Sequence, residues 1–201
     1  MSLIKWNFNG LIIQKLNDLN NVCPLTSYMG LERYQSWPLE DRTDEQSKKL
    51  TEETEERWFN YFYGESNEKY ALAVVPSMEY ISRYLNTCKN YNLKVRVLHI
   101  ETEREEPQWE GPPLDKTFLG YEYATSQNFY SPLSDDLFGL STPPSLVNSK
   151  SVLNKYGLFN TEEDLISYIE NRNKAIGEGY DLESFGDFCK YKVSLITDTI
   201  I

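Results

Sequence analysis

Between Tyr70 and Glu103 the hydrophobic period changes twice, and that change constrains the fold more than any other feature of the chain. "YALAVVPS" is a short apolar run with paired valines, the pattern of a buried strand. "SMEYISRYLNTCKN" then spaces Met78, Ile81, Leu85 and Cys88 at near-helical intervals, with Ser77 placed as the N-cap. "LKVRVLHIETE" alternates again, Val95 and Val97 to one side and Leu98 and Ile100 to the other, so both faces are partly covered. Strand, helix and strand in so short a stretch predict a βαβ unit with parallel strands and a right-handed crossover. A split, hairpin-like arrangement is the alternative. Either way the expected class is α+β, a mixed sheet of about four to five strands with three main helices packed on it.

The remaining chain is read around that unit. Residues 1–30 are irregular, with "LIIQKLNDLNNV" a short helix or strand and "NNVCPLTSYMG" a turn-rich loop. "DEQSKKLTEETEERWFNYFYG" is a helix capped by Thr43 and closed by Gly64, acidic in its first half and aromatic in its second. Residues 1–68 are therefore expected to form an N-terminal segment packed on an α+β domain at 69–201. "FLGYEYA" is a strand that sets Leu119, Tyr121 and Tyr123 on one face and Phe118, Gly120, Glu122 and Ala124 on the other. From Thr125 to about Leu146 the composition is that of a loop. "NKYGLFNTEEDLISYIENRNKAIGEG" holds a strong helix. Asn160 or Thr161 caps it, Glu163 or Asp164 completes a capping box, Gly177 or Gly179 stops it, and Leu165, Tyr168, Ile169 and Ile176 form its apolar stripe. "YKVSLITDTII" is a terminal strand.

Charge is organised as well as large. The 201 residues carry a net charge of −11. Acids outnumber bases 10 to 4 in residues 40–68, 6 to 1 in 101–115 and 8 to 3 in 160–190, whereas residues 69–100 hold 1 acid and 5 bases. Three acidic blocks thus surround a mildly basic centre. Such a field opposes direct binding of nucleic acid or an anionic membrane and steers a basic protein partner. The competing reading is that acidic surfaces serve solubility alone. The N-terminus lacks the pattern of a secretory signal, no apolar run has the length of a membrane span, and Cys23, Cys88 and Cys189 are too sparse for a disulfide frame. A cytoplasmic protein is expected.

No phosphate-binding glycine loop, nucleophile elbow or H-E-x-x-H motif is present, and the single histidine, His99, cannot support a multi-histidine metal site. His99 lies mid-strand, where a packed imidazole is the ordinary outcome. No cofactor and no metal is expected. The carboxylates Glu101, Glu103, Glu105 and Glu106 cluster after a strand, and Asp135 and Asp136 follow an aromatic loop, but neither spacing specifies a mechanism. That loop carries Phe129 and Tyr130 among polar residues and prolines, a setting in which exposed rings supply contact area while neighbouring carboxylates meet Arg or Lys.

"LGYEYATSQNFYSPL" followed by "LNKYGLFNTEEDLISYIENRN" resembles the C-terminal half of small acidic bacterial immunity proteins from polymorphic-toxin and contact-dependent inhibition systems, with Gly120–Tyr123 and Leu153–Phe159 carrying the likeness. The resemblance covers about a third of the chain. It implies a non-enzymatic inhibitor that binds one cognate toxin, often a basic nuclease, and blocks its active site or substrate access. On that reading Glu122, Phe129, Tyr130, Asp135 and Asp136 are partner contacts, and Glu103, Glu105 and Glu106 supply the electrostatic approach. Two other classes compete: a carboxylate-dependent hydrolase or carbohydrate-active enzyme, and a phage or mobile-element accessory protein that mimics DNA.

Overall fold

A computed structural model describes residues 4–15, 95–104, 114–125, 131–138, 142–182 and 186–196, together with helical positions 82, 85, 86 and 89. Its centre is a sheet built from β1 (Asn7–Lys15), β2 (Val95–Thr102), β3 (Lys116–Thr125) and β4 (Phe188–Ile196) in the order β1-β2-β4-β3. Every pairing among these strands is antiparallel. The α+β class holds, while the described sheet is antiparallel and not mixed. The first strand and most of the helix of the expected βαβ unit lie outside the described residues, as does the expected helix after Thr43.

Burial explains the order. Val97, Leu98, His99 and Ile100 are consecutive and all buried, which only a strand covered on both faces and flanked by strands on both sides allows. β2 is that strand, with β1 on one side and β4 on the other. β1 falls within the segment read as irregular, and "LIIQK" takes the strand alternative there. In β4, Cys189, Tyr191 and Val193 are buried while Phe188, Lys190 and Lys192 are half-buried, an alternation that matches a strand between two neighbours with faces of different polarity.

The helices gather at the β3 end. α1 (Leu133–Phe138), a 3-10 helix (Pro144–Val152) and α2 (Glu162–Gly177) enclose a core of Leu133, Leu137, Leu146, Phe159, Leu165 and Tyr168, with Tyr121 and Tyr123 of β3 packed against it. α1 and the first residues of the 3-10 helix occupy the stretch read as loop. Leu133 and Leu137 are one turn apart and fully or nearly buried, so α1 is held by its two apolar contacts more than by its length. α2 begins at one of the two expected caps, without the return bond from the Thr161 amide that would complete a capping box. Thr161 Oγ1 accepts from the Asp164 amide at 3.1 Å, which makes Asp164 the third-position partner and Thr161 the cap. The buried stripe is Leu165, Tyr168, Arg172 and Ala175, with Ile169 and Ile176 half-buried at its margin.

β3 is an outer strand of this sheet, and its exposed backbone is closed by the segment Leu153–Phe159. Tyr121 N donates to Phe159 O at 2.9 Å, Phe159 N returns to Tyr121 O at 3.0 Å, and Asn154 Nδ2 donates to Leu119 O at 2.7 Å. The approach is so close that a Cβ on Gly120 would lie 2.6 Å from Leu158 Cβ and 2.7 Å from Phe159 O. Gly120 also sits at φ +151°, beside a bulge between Phe118 and Gly120, so both space and backbone demand glycine. Gly120→Ala should therefore cost about 2 kcal/mol or more in denaturant unfolding. Gly179→Ala, at φ +92° with open space around it, should cost about 1 kcal/mol. Equal losses would contradict the steric part of the argument.

Candidate functional site

The antiparallel register decides which side chains meet, because partners across strands share a face. Glu101, Lys192 and Tyr121 form one row across β2, β4 and β3, and Leu11, His99, Ser194 and Phe118 form the next. On this face Glu101 Oε2 accepts from Lys116 Nζ at 3.0 Å and lies 3.7 Å from both Lys192 Nζ and His99 Nδ1. Two residues on, Glu103 Oε2 accepts from Lys190 Nζ at 2.5 Å, and Arg104 pairs with Asp187 at the strand ends. The first carboxylates of the acidic 101–115 block are thus matched to lysines of neighbouring strands. His99 stays neutral at ordinary pH. Burial holds its pKa down to about 4, helped by Lys116, against the opposing pull of Glu101.

Toward α2 the same face becomes aromatic. Trp6, just before β1, donates its indole Nε1–H to Glu162 Oε1 at 2.8 Å and lies 5.5 Å from the Tyr121 ring. Phe118 meets the Tyr121 ring edge-on at 4.9 Å. Burial, then the charges of Glu162, Glu163 and Glu101, pushes the Tyr121 hydroxyl above its usual range. Phe118 is 45% exposed, whereas Glu162 is buried. The sequence singled out neither Trp6 nor Phe118 as a site residue.

Two carboxylates expected to face a partner are inside the protein. Glu122 has 0% exposure. Its Oε1 accepts from the Tyr123 amide and from Ser131 Oγ, both at 2.9 Å, while Oε2 has no hydrogen-bond partner among the described residues. Burial pushes this carboxyl well above its ordinary value, and the two hydrogen bonds oppose that rise. Asp136 is 1% exposed and joins α1 to α2: its Oδ2 accepts from Tyr168 Oη at 2.5 Å and Arg172 Nε at 2.6 Å. Burial raises the Asp136 pKa, and the two donors oppose that rise. The Arg172 guanidinium also lies 5.3 Å from the centre of the Phe188 ring. Glu122 and Asp136 are therefore corrected from surface contacts to interior groups. Asp135 is exposed, Glu103 is half-buried and paired, and Phe129, Tyr130, Glu105 and Glu106 lie outside the described residues.

The two motifs that carry the resemblance turn out to be one structural unit. Gly120–Tyr123 is the stretch of β3 onto which Leu153–Phe159 bonds. Those residues do edge-closing work that any partner would find already in place. No group of His, Cys, Asp and Glu able to hold a metal ion occurs among the described residues, and no helix among them is long and apolar enough to cross a membrane. Comparisons with protein-family models, with curated proteins and with solved structures find no significant match.

The buried acids generate two measurements. Asp136→Ala leaves the Arg172 guanidinium buried without its carboxylate, and should cost about 3–5 kcal/mol in denaturant unfolding. A loss under about 1 kcal/mol would contradict the burial of the pair. Glu122 has the opposite pH signature from a paired surface carboxylate. Its folded pKa lies above its unfolded value near 4.5, so its contribution is fully present below that pH and is lost as pH rises. Relative to Glu122→Gln, the native chain should lose about 1.4 kcal/mol per pH unit above that point until the folded carboxyl ionises. Urea melts of both proteins from pH 4 to 8 measure the difference, and a constant offset would refute it.

Proposed function

We propose that this chain is a non-enzymatic binding protein of the immunity type, which neutralises one cognate basic toxin by covering its active site or its substrate surface. The observation that carries this reading is how the described carboxylates divide. Glu122, Asp136 and Glu162 are taken into the interior, and Glu101 and Glu103 are matched by sheet lysines. The carboxylates left outside include Glu163, Glu170, Glu178 and Asp181 along and just beyond α2 and Asp135 on α1, with Lys150 and Lys155 exposed in the segment before that helix. Glu163 and Glu170 are about 10 Å apart along the helix axis, two turns on the side opposite the buried stripe. Lys174 is the exposed cation of that helix, 3.8 Å from Glu178.

A blocker of this kind uses its surface without bond-making chemistry. Rigid elements hold the carboxylates in place, and the potential steers encounter with a cationic target. The same reading assigns the chain to the cytoplasm, where such a toxin would act on its producer, and assigns it no cofactor.

The test is to express the product of the gene immediately upstream, alone and together with this chain. Toxicity alone, relief on co-expression and a stable complex are expected. Association should slow by about tenfold or more as ionic strength rises from 0.05 to 0.5 M. A harmless neighbour, or toxicity that this chain does not relieve, would overturn the proposal.

A further inference from the structure

We infer that closure of α1 over β3 takes up a proton at Glu122, which makes this short helix a clasp that holds in acid and loosens as pH rises. The clasp goes beyond the immunity reading and stands without it.

Glu122 lies where β3 meets the start of α1. Ser131 Oγ donates to its Oε1 at 2.9 Å, and the same hydroxyl accepts from the Leu133 amide at 3.2 Å. One serine thus ties a carboxyl of the sheet to the first residue of α1. The Tyr123 amide gives Oε1 its second bond, whereas Oε2 is buried and has no hydrogen-bond partner among the described residues. An ionised carboxylate spreads its charge over both oxygens, so here half of that charge meets neither a donor nor water. A proton on Oε2 removes the charge and leaves both bonds to Oε1 in place. The upward push of burial on this carboxyl has the same sense.

The groups around Glu122 do not cancel its charge. Tyr191 of β4, its partner across the strands, is a buried phenol. From α2, Arg172 directs its Nε and Tyr168 its hydroxyl to the same oxygen of Asp136. Asp136, on α1 itself, brings a second carboxyl to this region, and burial raises its pKa against the pull of those two donors. Glu122 forms no ion pair with a cation among the described residues.

α1 spans six residues, too few to hold a helix by themselves. Leu133 and Leu137 fasten it to the core, and both of its side-chain ties to the sheet and to α2 end on carboxyls, Glu122 and Asp136. Lifting 131–138 would bring Glu122 into water, where it ionises near its ordinary value of 4.5. Each opening therefore releases a proton at any pH between that value and the raised one of the closed form, so opening becomes easier as pH rises through that window. Asp135 is exposed on the same helix. On the immunity reading, the clasp sets how firmly that carboxylate is presented.

Hydrogen–deuterium exchange of the full chain from pH 5 to 8, expressed as protection factors, measures the clasp. The best-protected amides of α1 should lie at least about tenfold below those of α2 at every pH, because α1 opens without the rest of the fold. Their protection should fall by up to about tenfold per pH unit. Glu122→Gln should abolish that fall, and Ser131→Ala should lower protection throughout while keeping it. Independently of any variant, the Glu122 side-chain carboxyl should titrate above the exposed glutamates by 13C NMR. Titration at the exposed value, a fall equally present in Glu122→Gln, or equal protection of α1 and α2 would each overturn the clasp. The two readings fail separately. A toxin that this chain does not relieve removes the immunity reading and leaves the clasp. A chain that relieves its toxin but shows no pH dependence at α1 keeps the immunity reading and loses the clasp.

Discussion

The backbone of Tyr121 faces away from β4, and its amide and carbonyl must both be bonded if the outer strand is to be buried under helices. Phe159 answers both groups. From that pair of hydrogen bonds much of the helical layer follows. Phe159 brings its side chain into the core with Leu165 and Tyr168, Thr161 can then cap α2 two residues on, and α2 is laid against β3 at Tyr121 and Tyr123. Neighbouring edge groups are closed by different means, Leu119 O by the Asn154 amide and Tyr123 N by the Glu122 carboxyl. An outer strand treated this way offers little backbone to a second sheet.

Carboxylates have two distinct uses in this chain, and sequence position alone does not separate them. Asp135 and Asp136 are adjacent, yet one is exposed and the other holds α1 to α2 through Tyr168 and Arg172. Glu162 and Glu163 divide in the same manner at the start of α2. In a short helix, neighbours point about 100° apart, so one acid of each pair must turn inward when the helix is covered on one side. The inward acid is retained because it finds donors: a phenol and a guanidinium for Asp136, an indole for Glu162. The outward acid keeps its charge in water.

What could be read from the sequence, and what could not, follows from the range of the forces involved. α2 was legible because its cap, its apolar spacing and its terminal glycines are all local signals. β3 and β4 were legible as strands, but the bulge between Phe118 and Gly120 breaks the alternation of β3 and brings Phe118 onto the face of Tyr121, not the opposite one as expected. β1 was ambiguous, since a short apolar run fits either period until a partner strand chooses. α1 and the start of the 3-10 helix fell in the stretch read as loop because neither element is long enough to declare a period, and tertiary contacts of Leu133, Leu137 and Leu146 hold them. Alternation placed Glu122 opposite Tyr121 and Tyr123, but nothing local says that the opposite face is also covered. For Asp136 one clue existed: Arg172 falls on the apolar stripe of α2, where a guanidinium requires an acid. The Trp6–Glu162 contact spans most of the chain and has no local signature.

The strand order has a consequence for how such a chain is made. β4 is the last strand in sequence, yet it lies between β2 and β3, pairing Glu101 with Lys192 and Glu122 with Tyr191. None of the three ladders is a tight hairpin, so each joins residues that leave the ribosome far apart in time. Until β4 emerges, no strand among the described residues bridges β2 and β3. The β2–β4 and β3–β4 ladders are therefore late, while β1 and β2 can pair before them, and a nascent chain arrested before Phe188 would carry open ladder edges exposed to association with other chains.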